Sequence, residues 1–396
     1  MSFNIAKWYN NFQVPVVLMI DDLSDAYIDV FNESYRNDWG YMTTEKGSAY
    51  DFLKTNLLNQ FPEIKITFFV PYLKHNVIND NTIYDQKKYS LGEREQYIDF
   101  LKILVENNHE IAHHGSNHGE FIDNSNCSTV NNWTHEWALF KDINTGVKIT
   151  QNGIDLFKSI CNIDIVGGKY CGYIDIDNSQ EIIDKCNFIY WCESANFNPS
   201  EYKTKYFGYN KVFSFPTTFA GNSFVRLSYI TGHKKKDLQK KFFKYFQPLY
   251  NILSYKKLHT LYKQQSIISI QEHISPSTAA GTIQSANIIS DIASLNKIFK
   301  YLKNKSVWYE TCQTIAKYVY VRDNSSMSLL NNELIINFNN FRSMNDTLIS
   351  ISHNKPFTLK TYQNIYTSNY NNGLYVVNIS IINGKNIFLI DKEELQ

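Results

Sequence analysis

The chain has 396 residues, 43% of them hydrophobic and 15% aromatic, enough for one large domain with a smaller one beside it. Its 39 lysines and arginines nearly balance its 38 aspartates and glutamates, so the summed field calls for no polyanion and nucleic acid is not an expected partner. No stretch approaches the roughly 20 apolar residues of a membrane span, and the N-terminal MSFNIAKWYNNFQVPVV lacks a basic region followed by an apolar one, so the expected location is the cytoplasm.

Along the chain, apolar runs at Pro15–Ile20, Ile64–Val70, Glu110–His113, Ile163–Gly168, Phe188–Cys192, Val212–Phe215 and Ser266–Gln271 predict strands buried on both faces. Stretches of helical period lie between them, at Ala49–Gln60, Glu93–Asn107, His135–Cys161 and Gln180–Cys186. Strands alternating with helices imply parallel β/α units, and a β/α barrel is their natural closure. In such a barrel the chemistry sits on loops that follow the C-terminal strand ends. A helical segment is predicted over Ile283–Tyr320. The pattern then turns to strands without helices, at Leu334–Phe338, Thr347–Ser352, Phe357–Tyr362, Gly373–Ile382 and Asn386–Ile390. The predicted division is residues 1–322 as an α/β barrel and residues 323–396 as a small all-β, sandwich-like domain. Cys127, Cys161, Cys171, Cys186, Cys192 and Cys312 form no C-x-x-C pair, so neither a disulfide framework nor a thiolate zinc site is indicated, and buried thiols are expected.

Chemistry-bearing residues collect at the predicted strand ends. In VVLMIDDLSD a buried strand runs into Asp21 and Asp22. Two adjacent carboxylates leave one free to hold a cation while the other handles a proton, although loop caps look the same in isolation. In HEIAHHGSNHG, His114 and His118 have the i, i+4 spacing that sets two imidazoles on one side of a turn. With one carboxylate they make a three-ligand metal site open to water. His109 and His113 are read as a surface residue and a supporting or packing residue. The segment VGGKYCGY, with Lys169, Tyr170 and Tyr173, offers glycine-flexed backbone from which an N–H can face a developing oxyanion; a plain turn is the competing reading. FIYWCES adds Trp191 and Glu193, and SIISIQEHISP ends a strand on His273.

Taken in order, Asp-Asp, His-x-x-x-His, a glycine-rich turn with a cation, Trp and a strand-terminal His resemble the polysaccharide deacetylase family. This family is also called NodB-homology or carbohydrate esterase family 4, and the resemblance covers roughly residues 14–322. It implies a distorted (β/α)7 barrel that deacetylates N- or O-acetylated glycans with a divalent metal. It also implies Asp21 as catalytic base, Asp22, His114 and His118 as metal ligands, and His273 as general acid. The Tyr170 backbone N–H would hold the oxyanion, and Trp191, Glu193 and Tyr173 would contact substrate. Zinc is the expected metal, although cobalt, nickel or iron accept the same ligands. This chain departs from the family in having Lys169 and Tyr170-Cys171 where an arginine and a proline are usual, and lysine lacks the bidentate fork of arginine. Gln271 stands where a leucine commonly lines the acetyl pocket. No carboxylate partner for His273 is evident, and Glu193 is the positional candidate.

Cytoplasmic residence points to an N-acetylated sugar in a nucleotide- or lipid-linked precursor of a surface glycan such as O-antigen or capsule. Residues 234–263 carry nine lysines against Asp237 alone, with aromatic residues at helical spacing. Such a helix can rest on an anionic membrane or a lipid-linked substrate. The weightier reading is a solvated helix packed on the barrel through Phe242, Phe243 and Phe246. His75, His135, His233, His259 and His353 show no ligand spacing and are read as ordinary surface or core residues. Two rival functions stand: an amidohydrolase of the same barrel acting on a small cyclic amide or formamide, and a non-catalytic glycan-binding protein. The co-occurrence of Asp21, Asp22, His114, His118 and His273 argues against the second.

Overall fold

Every residue of Val14–Asp21 (β1) is buried, as a strand covered on both faces requires. The structure, a computed structural model, describes residues 3–23, 44, 46–76, 87–90, 95–116, 118–121, 133–195, 205–225, 237–274, 286–340, 342, 344 and 347–390. It divides into a larger unit, Val16–Asn304 with Tyr309–Cys312, and a smaller one, Met1–Pro15 with Lys305–Trp308 and Gln313–Gln396. The N-terminal segment and most of helix Cys312–Asp323 therefore sort with the C-terminal strands, whereas the sequence-based division falls after residue 322.

In the larger unit β1 lies within a curled sheet. Ile66–Val70 (β2), Glu110–His113 (β3), Gly167–Lys169 (β4), Tyr190–Cys192 (β5) and Val212–Ser214 (β6) follow it in parallel on one side. Phe219–Ala220 (β7) and Ile268–His273 (β8) continue in parallel on the other, with β8 next to β1. Among the described residues the two outer edges do not pair with each other, so the sheet is an open, half-barrel form of the expected α/β barrel.

The connecting helices are Ala49–Leu53 (α1), Glu95–Glu106 (α2), Ile143–Leu156 (α3), Ser179–Lys185 (α4), Asp237–Lys263 (α5) and Ile288–Leu302 (α6). Their starts are chemically marked: the Asp142 carboxylate accepts the Thr145 N–H at 2.8 Å, and the Asn287 side chain accepts that of Ser290 at 2.9 Å. The first cap splits the predicted helix His135–Cys161 into a short 3-10 turn, Glu136–Leu139, and α3. The predicted helical segment Ile283–Tyr320 likewise contains a strand, Val307–Tyr309.

Parallel pairing puts all C-terminal strand ends on one edge. His273 lies opposite Asp21, Val70 opposite His113, and Cys192 opposite Lys169. The N-terminal ends are closed by buried polar groups. Glu110 accepts hydrogen bonds from the Thr67 hydroxyl and the Tyr190 hydroxyl, both at 2.8 Å. His109, expected on the surface, is buried instead, because its Nδ1 accepts the Ile66 N–H at 3.3 Å and its ring meets Phe68 edge-on.

The smaller unit contains two antiparallel sheets, in keeping with the expected all-β character. One joins Asn4–Ile5, Leu348–His353, Leu374–Ser380 and Asn369–Asn371; the other runs Ser325–Leu330, Glu333–Phe338, Gly384–Ile390, Thr358–Lys360 and Ile365–Thr367. Alternating residues such as Ile349, Ile351, Val377 and Ile379 bury one face of a sheet. Cys161, Cys171, Cys186, Cys192 and Cys312 are buried and unbridged, and Cys127 lies outside the described residues.

Burial, reinforced by Lys65, lowers the His109 pKa from 6.5 to about 4. The folded pKa is depressed, so the unfolded chain binds the extra proton between those values and stability falls as pH falls through that window. His109→Asn keeps an acceptor for the Ile66 N–H but cannot titrate. Urea unfolding of the variant should lose up to about 1.4 kcal/mol per pH unit of slope relative to wild type; an unchanged slope would count against a neutral, buried His109.

Candidate active site

Asp21 ends β1 with its carboxylate almost fully buried, and Lys169, at the end of β4, is buried beside it. The Lys169 ammonium donates to Oδ1 at 2.9 Å and to Oδ2 at 2.6 Å. Burial alone would lower the Lys169 pKa, but the Asp21 charge outweighs it and drives the value up, so Lys169 is held as a cation. The cation also lies 4.6 Å from the Tyr173 ring centroid and 5.3 Å from that of Phe69. From β8, the Gln271 amide donates to Asp21 Oδ2 at 3.3 Å. Gln271 is itself fixed, since its Oε1 accepts from the Tyr173 hydroxyl at 2.8 Å, and that hydroxyl lies 2.7 Å from the Thr217 hydroxyl.

Asp22 follows in a left-handed conformation with φ of 64°, and His118 shares that region at 69°. Such backbone costs a non-glycine residue on the order of 1 kcal/mol and is held by its surroundings. Here the Tyr97 hydroxyl donates to the Leu23 carbonyl at 3.1 Å and the Ile274 N–H to that of Asp21 at 3.1 Å, tying the turn from both sides. The turn aims one Asp22 oxygen at two imidazoles: His114 Nε2 lies 3.2 Å from Oδ1 and His118 Nε2 3.1 Å. Burial would raise the Asp22 pKa, but the His118 charge and hydrogen bonds from both histidines hold it well below the usual range. Burial likewise works against a charge on His118, and Asp22 overrides it, raising that pKa. His114 Nδ1 faces the Lys169 carbonyl at 3.2 Å, so a switch of its proton to Nδ1, donated to that carbonyl, would free Nε2 from its bond to Asp22 to serve as a ligand. Ring nitrogens of His114 and His118 also lie with Cys171 Sγ in a group whose ligand atoms are within 4.8 Å of one another. Two imidazoles converging on a carboxylate, with a thiol nearby, are a donor set that fits a divalent metal.

The remaining residues divide. His273 comes to the site, with Nε2 at 3.8 Å from Asp21 Oδ2 and Nδ1 at 2.6 Å from the Ala286 carbonyl. That carbonyl occupies the position for which Glu193 was the candidate; Glu193 instead accepts from the Gln180 amide at 2.6 Å. Trp191 is fully buried and packs against Phe188, Trp137 and Tyr170 at ring separations of 4.8, 5.5 and 5.5 Å, so it forms a floor and offers no surface to a ligand. The Tyr170 ring is part of that floor, leaving only its backbone for the expected role. His113 is a packing residue, its Nδ1 accepting the Gly115 N–H at 3.0 Å and burial lowering its pKa to about 3. Three neighbours carry no readable signal in the sequence. Glu136 accepts the Ser116 N–H at 2.6 Å, the His135 ring meets that of His118 at 5.4 Å, and Cys171 donates to the His114 carbonyl at 3.2 Å. Burial and the His118 charge lower the His135 pKa to about 4, so that ring is neutral.

No family model matches the sequence, and no curated protein does. Solved structures do align with the fold, at low identity. Polysaccharide deacetylases are among them. A protein assigned to that class from Mycobacterium smegmatis is 14% identical, with 83% of this chain and 97% of that one covered at a TM-score of 0.46. Another, from Pseudomonas aeruginosa PAO1, is 13% identical, with 79% and 93% covered at 0.45. The Puue allantoinase is 15% identical, with 79% and 92% covered, also at 0.45. The deacetylases carry the name of the family that the motifs resemble.

Removing one partner of the Asp21–Lys169 pair strands the other charge in the interior, which costs about 3–5 kcal/mol. Lys169→Met should lose stability on that scale in urea unfolding, and adding Asp21→Asn should restore most of it. Equal stability of the single and double variants would mean that Asp21 finds another counter-charge.

Proposed function

We propose that the larger unit is a metal-dependent hydrolase that removes the acyl group from an N-acetylated sugar. The observation that carries this reading is the adjacency of two differently prepared carboxylates: Asp21, paired with a buried lysine, and Asp22, facing two imidazoles. Divergent environments for neighbouring acids separate a proton-handling role from a ligand role. Asp22, His114 and His118 would hold the metal, zinc by preference. When bound, the metal would supply polarisation of the acyl carbonyl and acidification of the attacking water.

Asp21 takes a proton from that water as the water oxygen adds to the acyl carbon. Lys169 holds both Asp21 oxygens in place, and Gln271 limits the rotation of the carboxylate. The Tyr170 backbone N–H is the proposed donor to the oxyanion. His273 donates Nδ1–H to the Ala286 carbonyl, which turns Nε2 towards Asp21, and from Nε2 a proton passes to the departing amine as the C–N bond breaks. Acetate and a free amino sugar are the products. Tyr173, bonded to Gln271, is the residue through which a bound sugar would reach the base.

Five buried, unbridged cysteines suit a reducing compartment, and this supports a cytoplasmic substrate such as a nucleotide- or lipid-linked precursor of O-antigen or capsule. None of the described helices is long and apolar enough to cross a membrane. Helix α5 supports a peripheral contact. Tyr245, Leu249, Ile252 and Leu253 recur at helical spacing and are 83, 53, 62 and 53% exposed, while Leu258 and Leu261 on the far side are buried. Phe246 is exposed too, and the Phe242 and Phe243 side chains and residues 234–236 lie outside the described residues.

Three measurements test this reading. Purified untagged protein should hold about one divalent metal per chain, lost in His114→Ala; protein without metal even after zinc is supplied would move the weight to glycan binding. Asp21→Asn should keep the metal and lower acetate release from N-acetylated sugars by at least about a hundredfold. Release of amine only from a cyclic amide or formamide would replace the sugar as substrate. In sedimentation with vesicles, binding to anionic but not zwitterionic lipid should fall in Leu249→Asp/Ile252→Asp, and salt-insensitive or absent binding would remove the membrane contact.

A further inference from the structure

Cys171 has no part in the reaction described above, yet it is placed among the proposed metal ligands. Its side chain is fully buried one residue beyond the floor residue Tyr170, and its Sγ belongs to the same group as ring nitrogens of His114 and His118, with all three ligand atoms within 4.8 Å of one another. Donors around a tetrahedral zinc, with bonds of about 2.0–2.3 Å, lie about 3.3–3.8 Å apart, so side-chain rotation of about an ångström brings these three atoms to that spacing. The backbone leaves room for this approach. Gly115, directly after His114, has φ of 77°, and a Cβ there would come within 2.8 Å of Cys171 Sγ and 2.7 Å of a Glu136 oxygen. A side chain at 115 would push the thiol away from the imidazoles, whereas glycine lets it stand against them.

We propose that Cys171 Sγ is a further protein ligand of the metal held by Asp22, His114 and His118. The inference rests on the metal-centre reading above and extends it. In the metal-free protein the S–H is donated to the His114 carbonyl; on binding, that proton leaves to solvent and the sulfur lone pair forms the bond to the cation. With Asp22, His114 and His118, Cys171 would give the metal four protein donors, a more closed set than three ligands and water. Sulfur also biases the site towards softer metals such as zinc and away from magnesium or calcium. The sequence does not announce this ligand, because Cys171 stands 57 residues from His114 and outside any cysteine spacing motif.

The test is spectroscopic and uses the full chain loaded with cobalt(II). One bound cobalt should give an intense near-ultraviolet sulfur-to-cobalt charge-transfer band beside the weaker visible bands. Cys171→Ser should bind cobalt at about the same stoichiometry without that band, and Cys161→Ser should retain it. X-ray absorption on zinc-loaded wild type needs no variant and should show a sulfur shell at about 2.3 Å beside nitrogen and oxygen at about 2.0–2.1 Å. Bound metal with no sulfur in its shell, or a band that survives in Cys171→Ser, would overturn the assignment of Cys171 and leave the metal centre standing. A wild-type chain that takes up neither cobalt nor zinc would overturn both.

Discussion

The site depends on one buried ion pair that ties together strands that are not neighbours. Asp21 ends β1 and Lys169 ends β4, and β2 and β3 lie between them in the sheet. Three strand spacings in a flat sheet would separate them by about 14 Å, well beyond the reach of a lysine side chain. A contact of 2.6 Å is possible only because the sheet curls, so the pair acts as a chord across its C-terminal edge. The same curl brings the β3 end, with His114, towards the turn that carries Asp22. Buried pairs of this kind add little net stability, because desolvation consumes most of the attraction, but they penalise heavily any arrangement that separates the charges. Its role here is to fix one closure of the sheet.

Two departures from the polysaccharide deacetylase pattern, read separately in the sequence, are coupled in the structure. Lysine at 169 contacts both Asp21 oxygens through a single nitrogen, so it supplies charge without the planar constraint of a guanidinium. Gln271, where an apolar residue is usual, donates to Asp21 Oδ2 and is anchored in turn by Tyr173 and Thr217. The amide supplies the second direction of constraint that lysine lacks. On this account the altered position in β8 first constrains Asp21, the proposed base, and the left-handed backbone at Tyr173 accompanies the approach of its hydroxyl to the amide.

What was legible in the sequence follows from how each signal arises. Asp21, Asp22, His114 and His118 stand at short spacings next to buried strands, where local geometry nearly determines mutual position, and all four converge. Lys169 and His273 were marked by strand ends, and the parallel register brings those ends to one edge. Trp191 had the same mark, but a residue at a strand end can face either side of the sheet, and an indole surrounded by Phe188, Trp137 and Tyr170 gains more from burial than from exposure. Glu193 failed as a partner for His273 because a backbone carbonyl, invisible as a side-chain pattern, took the place. Glu136 and His135 reach the site from a separate hairpin and turn, and only the fold puts them beside His118 and Gly115. The apolar period across residues 135–161 hid the break before α3 because Trp137 and Phe140 ahead of it, like Phe157 and Cys161 after it, are buried.

The alternation of β8 also controls how much negative charge the site carries. Gln271 and His273 face Asp21, while Glu272 between them points to the opposite side and is fully buried. Its carboxyl fills the space over Gly221, where a Cβ would fall 1.5 Å from one of its oxygens. Burial, then Asp291 and Asp21, raise its pKa well above the ordinary value, against a backbone hydrogen bond from His273 that lowers it, which favours the neutral acid. An ionised Glu272 would add a further anion near Asp291 and Asp21, in a medium that screens poorly. Burial of the carboxyl against Gly221 works against that state. The two faces of one strand thus act in the same direction: the inner face supplies the groups that contact Asp21, and burial on the outer face works against a further negative charge.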